Sequence, residues 1–268
     1  WRGSDIKPDW ASRKDAEVIA LQAWAEFRMF IRETDPASKT AVLSAKCAPS
    51  NREKDARYHV ENVPEALDAP GEFFLDRGTG VLSYIPRPGE DMAKAEVAAP
   101  VLSELVRFDG DIVSGKTVAH VRFRGISFEC TDWTIAGNGY VDVQAAYDIP
   151  GVIHGNGAED VVIEDCAIGH HGNYAVEFAR GCRNNRIAGC EIFDMGAGGV
   201  KIGEPAYPPK VSADGREVTS GNTVSDCHIH HIGEVYPAAC GVIIFQSAKN
   251  LIAHNHIHDT YYTGISNG

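Results

Sequence analysis

The chain has 268 residues, 44% of them hydrophobic and 23% charged, a balance that allows one large or two modest folded domains and argues against wholesale disorder. A formal charge of -12 and a pI near 5.3 argue against a nucleic-acid surface, which needs a basic face to neutralise phosphate. No run of about 18 apolar residues is present to span a membrane.

The chain opens at Trp1 without a basic-then-apolar leader and stops at Gly268 inside the strand-like Gly264-Ile265-Ser266-Asn267-Gly268. These ends read as those of an internal fragment or a processed chain. Residues 15–32 hold the best helical candidate, but Trp24, Phe27, Arg28, Phe30 and Arg32 fall closer to alternation, which favours strand. Residues 57–63 lead into a turn-rich stretch. Two apolar runs, 72–76 and 81–85, then flank the loop Arg77-Gly78-Thr79-Gly80, which predicts a β-hairpin over 72–85 that Pro86 and Pro88 end. Residues 1–105 are accordingly expected to form a small N-terminal β domain.

After about residue 105 a short phrase recurs: an apolar residue, two spacers, Cys or Asn, one spacer, Ile. It reads Ile163-Glu164-Asp165-Cys166-Ala167-Ile168, Ile187-Ala188-Gly189-Cys190-Glu191-Ile192, Val224-Ser225-Asp226-Cys227-His228-Ile229 and Ile252-Ala253-His254-Asn255-His256-Ile257, with a weaker copy from Phe123 to Phe128. Positions 126, 166, 190, 227 and 255 are spaced by 40, 24, 37 and 28 residues, so the unit is about 24 with insertions. The three-residue step from the apolar residue to Cys or Asn breaks strand alternation and implies a corner. The two-residue step to Ile points both inward. A further strand follows each corner, as in Ala175–Phe178, Gly199–Ile202, Gly241–Ile244 and Gly264–Asn267. In-register stacking of such repeats predicts a right-handed parallel β-helix, a pectate-lyase-like solenoid, over 106–268. The rival antiparallel sandwich does not require a matching inward residue every 24. Cys166, Cys190 and Cys227 then form a ladder of small buried thiols, and disulfides are left open.

The outward positions beside that ladder form columns. One holds Ala167, Glu191, His228 and His256, and the next holds Gly169, Phe193, His230 and His258. The strand-end column holds His170, Asp194, His231 and Asp259. Imidazoles and carboxylates thus gather on one outer face, where a plain solvated ladder is one reading. The pairs His228/His230 and His256/His258 place four imidazoles on a shared face, a geometry that can bind zinc. Sequence does not show whether their nitrogens converge, so no metal and no cofactor is assigned.

The stretch Tyr58–Arg77 with Gly80–Tyr84, the phrase Ile229–Gly233 and the phrase Asn255–Ser266 resemble segments of large right-handed β-helix carbohydrate-active proteins. They are most similar to the family 141 glycoside hydrolases, which include α-L-fucosidases and xylanases. The resemblance implies a small β domain inserted near the start of a longer helix, and a polysaccharide or oligosaccharide substrate of plant or algal origin. The same resemblance implies further coils beyond the Tyr-Tyr-Thr-Gly-Ile-Ser phrase that carry a later acidic segment.

A sugar site needs carboxylates for acid and base work, hydrogen-bonding groups and aromatic rings to pack on sugar faces. Asp259, Asp194, His230, His231, His258, Gln246, Tyr261 and Tyr262 supply that inventory. By the resemblance Asp259 is the first catalytic candidate, its partner acid lying in further coils, with Asp194 the partner within this chain. Two strands apart, Asp194 and Asp259 are expected at roughly 9 to 10 Å, near the upper limit for an inverting pair. His230 and His258 are expected to orient a carboxylate or hold a hydroxyl, and Tyr261 and Tyr262 to act as platforms. A polysaccharide lyase and a non-catalytic surface β-helix are the alternatives. The scarcity of Lys and Arg in the late repeats, Lys201 and Lys249 excepted, speaks against the lyase. A polymeric substrate implies a secreted or periplasmic location.

Overall fold

A computed structural model describes residues 1–12, 14–47, 53–141, 143–206, 208 and 211–268. The chain is all-β: among the described residues the helical elements are short 3-10 turns at Pro8–Ser12, Pro64–Ala66 and Gln144–Ala146. No helix among them is long and apolar enough to cross a membrane. Contacts divide the chain into two units, residues 1–98 with 134–142, and residues 99–133 with 143–268. The change of sequence grammar near 105 thus falls inside the second unit. Residues 134–142 return to the first because Tyr140–Val141 pairs antiparallel with Arg28 and Phe27.

In the first unit residues 15–32 form not a helix but two antiparallel strands, Glu17–Leu21 and Glu26–Asp35, paired from Glu17 with Phe30 to Leu21 with Glu26. Trp24 sits in the connecting turn rather than in the alternation, and is half exposed. Residues Glu26 to Ile31 are all buried, which suits a strand covered on both faces. Arg28 is held among acids: its Nη1 lies 2.8 Å from Glu61 Oε2 and 3.5 Å from Glu17 Oε2, and its Nε lies 3.5 Å from Glu26 Oε1. Ile6, Trp10, Ala16, Val18, Ile31 and Val63 make this unit's core. Phe73–Asp76 and Val81–Tyr84 form the hairpin, with Phe73 opposite Tyr84.

The second unit is built from parallel pairs. Each repeat contributes one strand to each of three sheets. The first sheet stacks Val106–Asp109, Gly151–Asn156, Tyr174–Phe178, Val200–Ile202, Cys240–Ile244 and Thr263–Asn267. The second stacks Arg122–Arg124, Val162–Glu164, Arg186–Ala188, Thr223–Ser225 and Leu251–Ala253. The third stacks Ser127–Thr131, Ala167–His171, Glu191–Met195, His228–Ile232 and His256–Thr260.

The corners explain the spacing of the repeated phrase. Asp165, Gly189, Asp226 and His254, each just before the Cys or Asn, adopt left-handed backbone with φ of 53°, 62°, 57° and 57°. Asp, Asn and Gly tolerate that region best, so the turn chemistry is written into the spacers. Cys166, Cys190 and Cys227 are buried, and their thiols donate to the carbonyls two residues back, Glu164, Ala188 and Ser225, at 3.2, 3.5 and 3.2 Å. All seven cysteines are free. Asn255 continues the column with an amide: its Oδ1 accepts from Cys227 N at 3.0 Å and its Nδ2 donates to Val224 O at 2.9 Å.

A second ladder lies at another corner. Asn222 Oδ1 accepts from the N–H and Nδ2 of Asn185 at 3.1 and 2.9 Å, and Asn250 Oδ1 accepts from Asn222 N at 3.0 Å. Asn185 and Asn222 are wholly buried. Here buried amides satisfy the backbone groups that a turn would otherwise orphan. The apolar core runs between the sheets through Ile163, Ile187 and Val224, Ile168, Ile192 and Ile229, and Val176, Val200 and Val242.

Candidate functional site

The third sheet carries the candidate site on its outer face. Parallel register aligns Glu191 with His228 and His256, and Phe193 with His230 and His258. The strand-end residues His170, Asp194, His231 and Asp259 drop out of the pairing, and their φ values are 62°, 48°, 49° and 47°. With Cys130 at φ 61° on the first strand of this sheet, five non-glycine residues in left-handed backbone share one register position and kink each strand without shifting its register. The kink leaves the His and Asp side chains exposed, and the next residue, His171, Met195, Ile232 or Thr260, re-enters the pairing in unchanged register. Polar side chains here are therefore projected in a column by the backbone itself.

The imidazoles converge. His228 stacks on His256 with ring centroids 5.1 Å apart, and His230 on His258 at 5.3 Å. The Nε2 atoms of His228 and His258 lie 2.7 Å apart. Desolvation, followed by the surrounding imidazoles, pushes the pKa of His228 below its ordinary value. His258 Nδ1 lies 2.9 Å from Asp259 Oδ2, and that hydrogen bond, with the electrostatic pull of His258, His231 and His230, holds Asp259 below the usual Asp value. His231 Nε2 stands 3.8 Å from the same carboxylate, and its Nδ1 lies 2.7 Å from His230 Nδ1. Asp194 pairs with His170 across 2.6 Å.

His231, Asp259, Thr260 and Tyr261 line an open cavity of about 320 Å³ together with a residue that sequence reasoning passed over, Glu234. The pKa of Glu234 is raised, first by partial desolvation and then by the negative charge of Asp194, with His231 opposing. Glu234 follows the tight turn at Gly233, outside the repeated phrase, and no column pointed to it. The only sequence signal is an acid two residues beyond the third-sheet strand.

Tyr261 is two-thirds exposed beside the cavity, and the Tyr262 hydroxyl accepts from Gln144 Nε2 at 3.2 Å. Gln246 is not brought to this group: it lies past the far end of a first-sheet strand, where its N–H donates to Glu204 O at 3.2 Å. The column places Asp194 and Asp259 on the first and third of three adjacent strands, and stacked strands at about 4.8 Å put their backbones roughly 10 Å apart.

A second charged column, on the first sheet, also went unread. His154, Glu177 and Lys201 lie on successive strands in register. His154 Nδ1 is 3.1 Å from Glu177 Oε2, and Lys201 Nζ is 3.0 Å from Glu177 Oε1. Burial alone would raise the Glu177 carboxyl, but the His154 hydrogen bond and the Lys201 charge outweigh it and hold it at about 2. Lys201 also donates to Tyr147 O at 2.8 Å and Ile149 O at 2.6 Å, so its three N–H groups have three acceptors. Such a saturated ammonium fastens the 147–149 segment and has no proton acceptor's lone pair to offer.

No family model matches the chain, and no curated protein matches its sequence. Among solved structures, a protein described as "Glycoside hydrolase" superposes with a TM-score of 0.81 over 97% of this chain, at 22% identity. The match covers 51% of that protein, so the chain spans about half its length. At this identity the likeness establishes a shared fold: the chain has the all-β architecture of a solved glycoside hydrolase.

Proposed function

We propose that the chain is the part of an exported glycoside hydrolase that forms a right-handed parallel β-helix, and that it cleaves plant or algal polysaccharide with a carboxylate pair at the third-sheet cavity. The observation that carries this reading is one cavity lined by two acids in opposite surroundings: Glu234 is partly desolvated near Asp194, which raises its pKa, and Asp259 is held by His258 at 2.9 Å, which lowers its own. Environments that push two carboxyl groups apart assign one as acid and the other as base. Glu234 would keep its proton and pass it to the glycosidic oxygen as the C–O bond breaks. Asp259 would stay ionised and take a proton from the water whose oxygen bonds to the sugar carbon. His258, donating to Asp259, orients that carboxylate, and Tyr261 offers a face for a sugar ring. Asp194 contributes by raising Glu234, a role that does not require it to touch substrate.

The test is hydrolysis of fucosides and xylans by the wild type, Asp259→Asn and Glu234→Gln. Each variant is expected to lose at least 100-fold in kcat/KM, in keeping with the weight of one positioned acid or base. Activity should need Asp259 ionised and Glu234 protonated, giving a bell with its acidic limb below the ordinary Asp value of 3.8 and its basic limb above the ordinary Glu value of 4.5. Full hydrolysis by Asp259→Asn would sink the assignment. An unsaturated, ultraviolet-absorbing product in place of new reducing ends would identify a lyase instead.

A further inference from the structure

The histidine cluster on the third sheet has a hydrogen-bonding problem that neutral imidazoles alone do not solve. A neutral ring has one donor nitrogen and one acceptor. His258 must place its proton on Nδ1 to donate to Asp259 Oδ2 at 2.9 Å, which leaves Nε2 as a lone pair. His228 must then place its proton on Nε2 to fill the 2.7 Å contact with that lone pair. Its own Nδ1 becomes a lone pair aimed at a carboxylate oxygen, Glu191 Oε1, 3.9 Å away. The conflict repeats on the other side. His230 uses its Nε2 proton on Glu191 at 3.4 Å, so its Nδ1 accepts from His231 Nδ1 at 2.7 Å. The remaining lone pair of His231 then faces Asp259 Oδ2 at 3.8 Å.

We infer that His228, His256 and His258 form a binding site for a divalent transition-metal ion of the zinc type. One ring nitrogen from each lies within 4.8 Å of the others. Metal–nitrogen bonds of about 2.0–2.1 Å in tetrahedral array put ligand nitrogens about 3.4 Å apart, so side-chain rotation closes the site without moving the strands. The metal also removes the first conflict. With both Nε2 lone pairs on the ion, His258 donates from Nδ1 to Asp259 and His228 from Nδ1 to Glu191. Each is then a carboxylate–histidine–metal arrangement, in which an acid fixes the tautomer and orientation of the ring behind the ligand atom.

Three imidazoles leave a fourth position for water or another group, and they favour zinc, cobalt, nickel or copper over calcium or magnesium, which take oxygen ligands. The ligands come from adjacent strands, His228 on one and His256 with His258 on the next, so the ion would also clasp the two repeats. This site does not depend on the glycosidase reading, since metal uptake is measured without any sugar.

The test is calorimetric titration of the metal-stripped, tag-free protein with zinc chloride and with calcium chloride near neutral pH, followed by cobalt substitution and its visible spectrum. One equivalent of zinc should bind, and the cobalt form should absorb as a tetrahedral, nitrogen-ligated ion. His256 is exposed, so His256→Ala should fold normally and bind zinc at least tenfold more weakly. Asp259→Asn should also weaken zinc by about 10- to 100-fold while keeping all three ligands. His120→Ala, on an exposed ring elsewhere, should bind as the wild type does. No saturable zinc uptake, uptake unchanged in His256→Ala, or calcium binding as tight as zinc would overturn the site.

Discussion

Lys201→Met should destabilise the second unit by about 3–5 kcal/mol, the usual cost of leaving one member of a buried ion pair without its partner. The lysine side chain is 3% exposed and that of Glu177 14%, so solvent screens the pair little. Methionine fills a similar volume but removes the cation from Glu177 and the donors from the carbonyls of Tyr147 and Ile149. The Glu177 carboxyl, lowered from 4.5 to about 2 by the His154 hydrogen bond and the Lys201 charge against the effect of burial, has the sign this argument requires. The ammonium itself is pushed down by burial, against the pull of Glu177, so the pair gains mainly on the carboxylate side, where Gly151 N–H also donates at 3.0 Å.

The assay is urea denaturation followed by tryptophan fluorescence. The midpoint should fall without a change in slope, and proteolysis should open the 143–150 segment first. The pH dependence has a definite sign. Because the folded pKa of Glu177 lies below its ordinary 4.5, the stabilisation is fully present above 4.5 and drains away as pH falls towards about 2. Lys201→Met should flatten that acid limb. The double variant Glu177→Gln with Lys201→Met should cost less than the sum of the two singles, since no charge is left stranded. A loss under about 1 kcal/mol for Lys201→Met, or strict additivity, would refute the reasoning.

Two further substitutions probe how the repeats stack. Asn222→Ala should cost about 2–4 kcal/mol in the same denaturation assay, because it strips buried acceptors from both Asn185 donors and a donor from Cys182 O. Gly198→Ala should cost about 1–3 kcal/mol or more, since the new methyl group would meet the Cys240 carbonyl oxygen and the buried Tyr174 ring, neither of which has room to yield.

Much of the second unit was legible because its signal is periodic. A three-residue step from Ile163 to Cys166 cannot continue one strand, and Asp165 at φ 53° is the corner it implied. The alternation of Cys, Ile and the next outward residue placed Glu191, His228 and His256 in one column, as the register has them. Lys201 was noticed only as a rare cation. Its role depends on Tyr147 and Ile149, more than fifty residues earlier, whose carbonyls reach it from a non-repeating loop. Trp24 misled for the opposite reason: a locally plausible alternation ran straight through a turn.

The sequence by itself determined that an all-β chain would stack its repeats, which residues would face inward, and which outer face would hold the histidines and Asp259. Those are consequences of side-chain period and corner chemistry, both local in the chain. Only the tertiary structure decided that Glu234 joins Asp259 at one cavity, that Gln246 stands elsewhere, and that the imidazole nitrogens converge. Those depend on where loops of unequal length return and on rotamers within a column, distances of a few ångströms that no periodicity encodes.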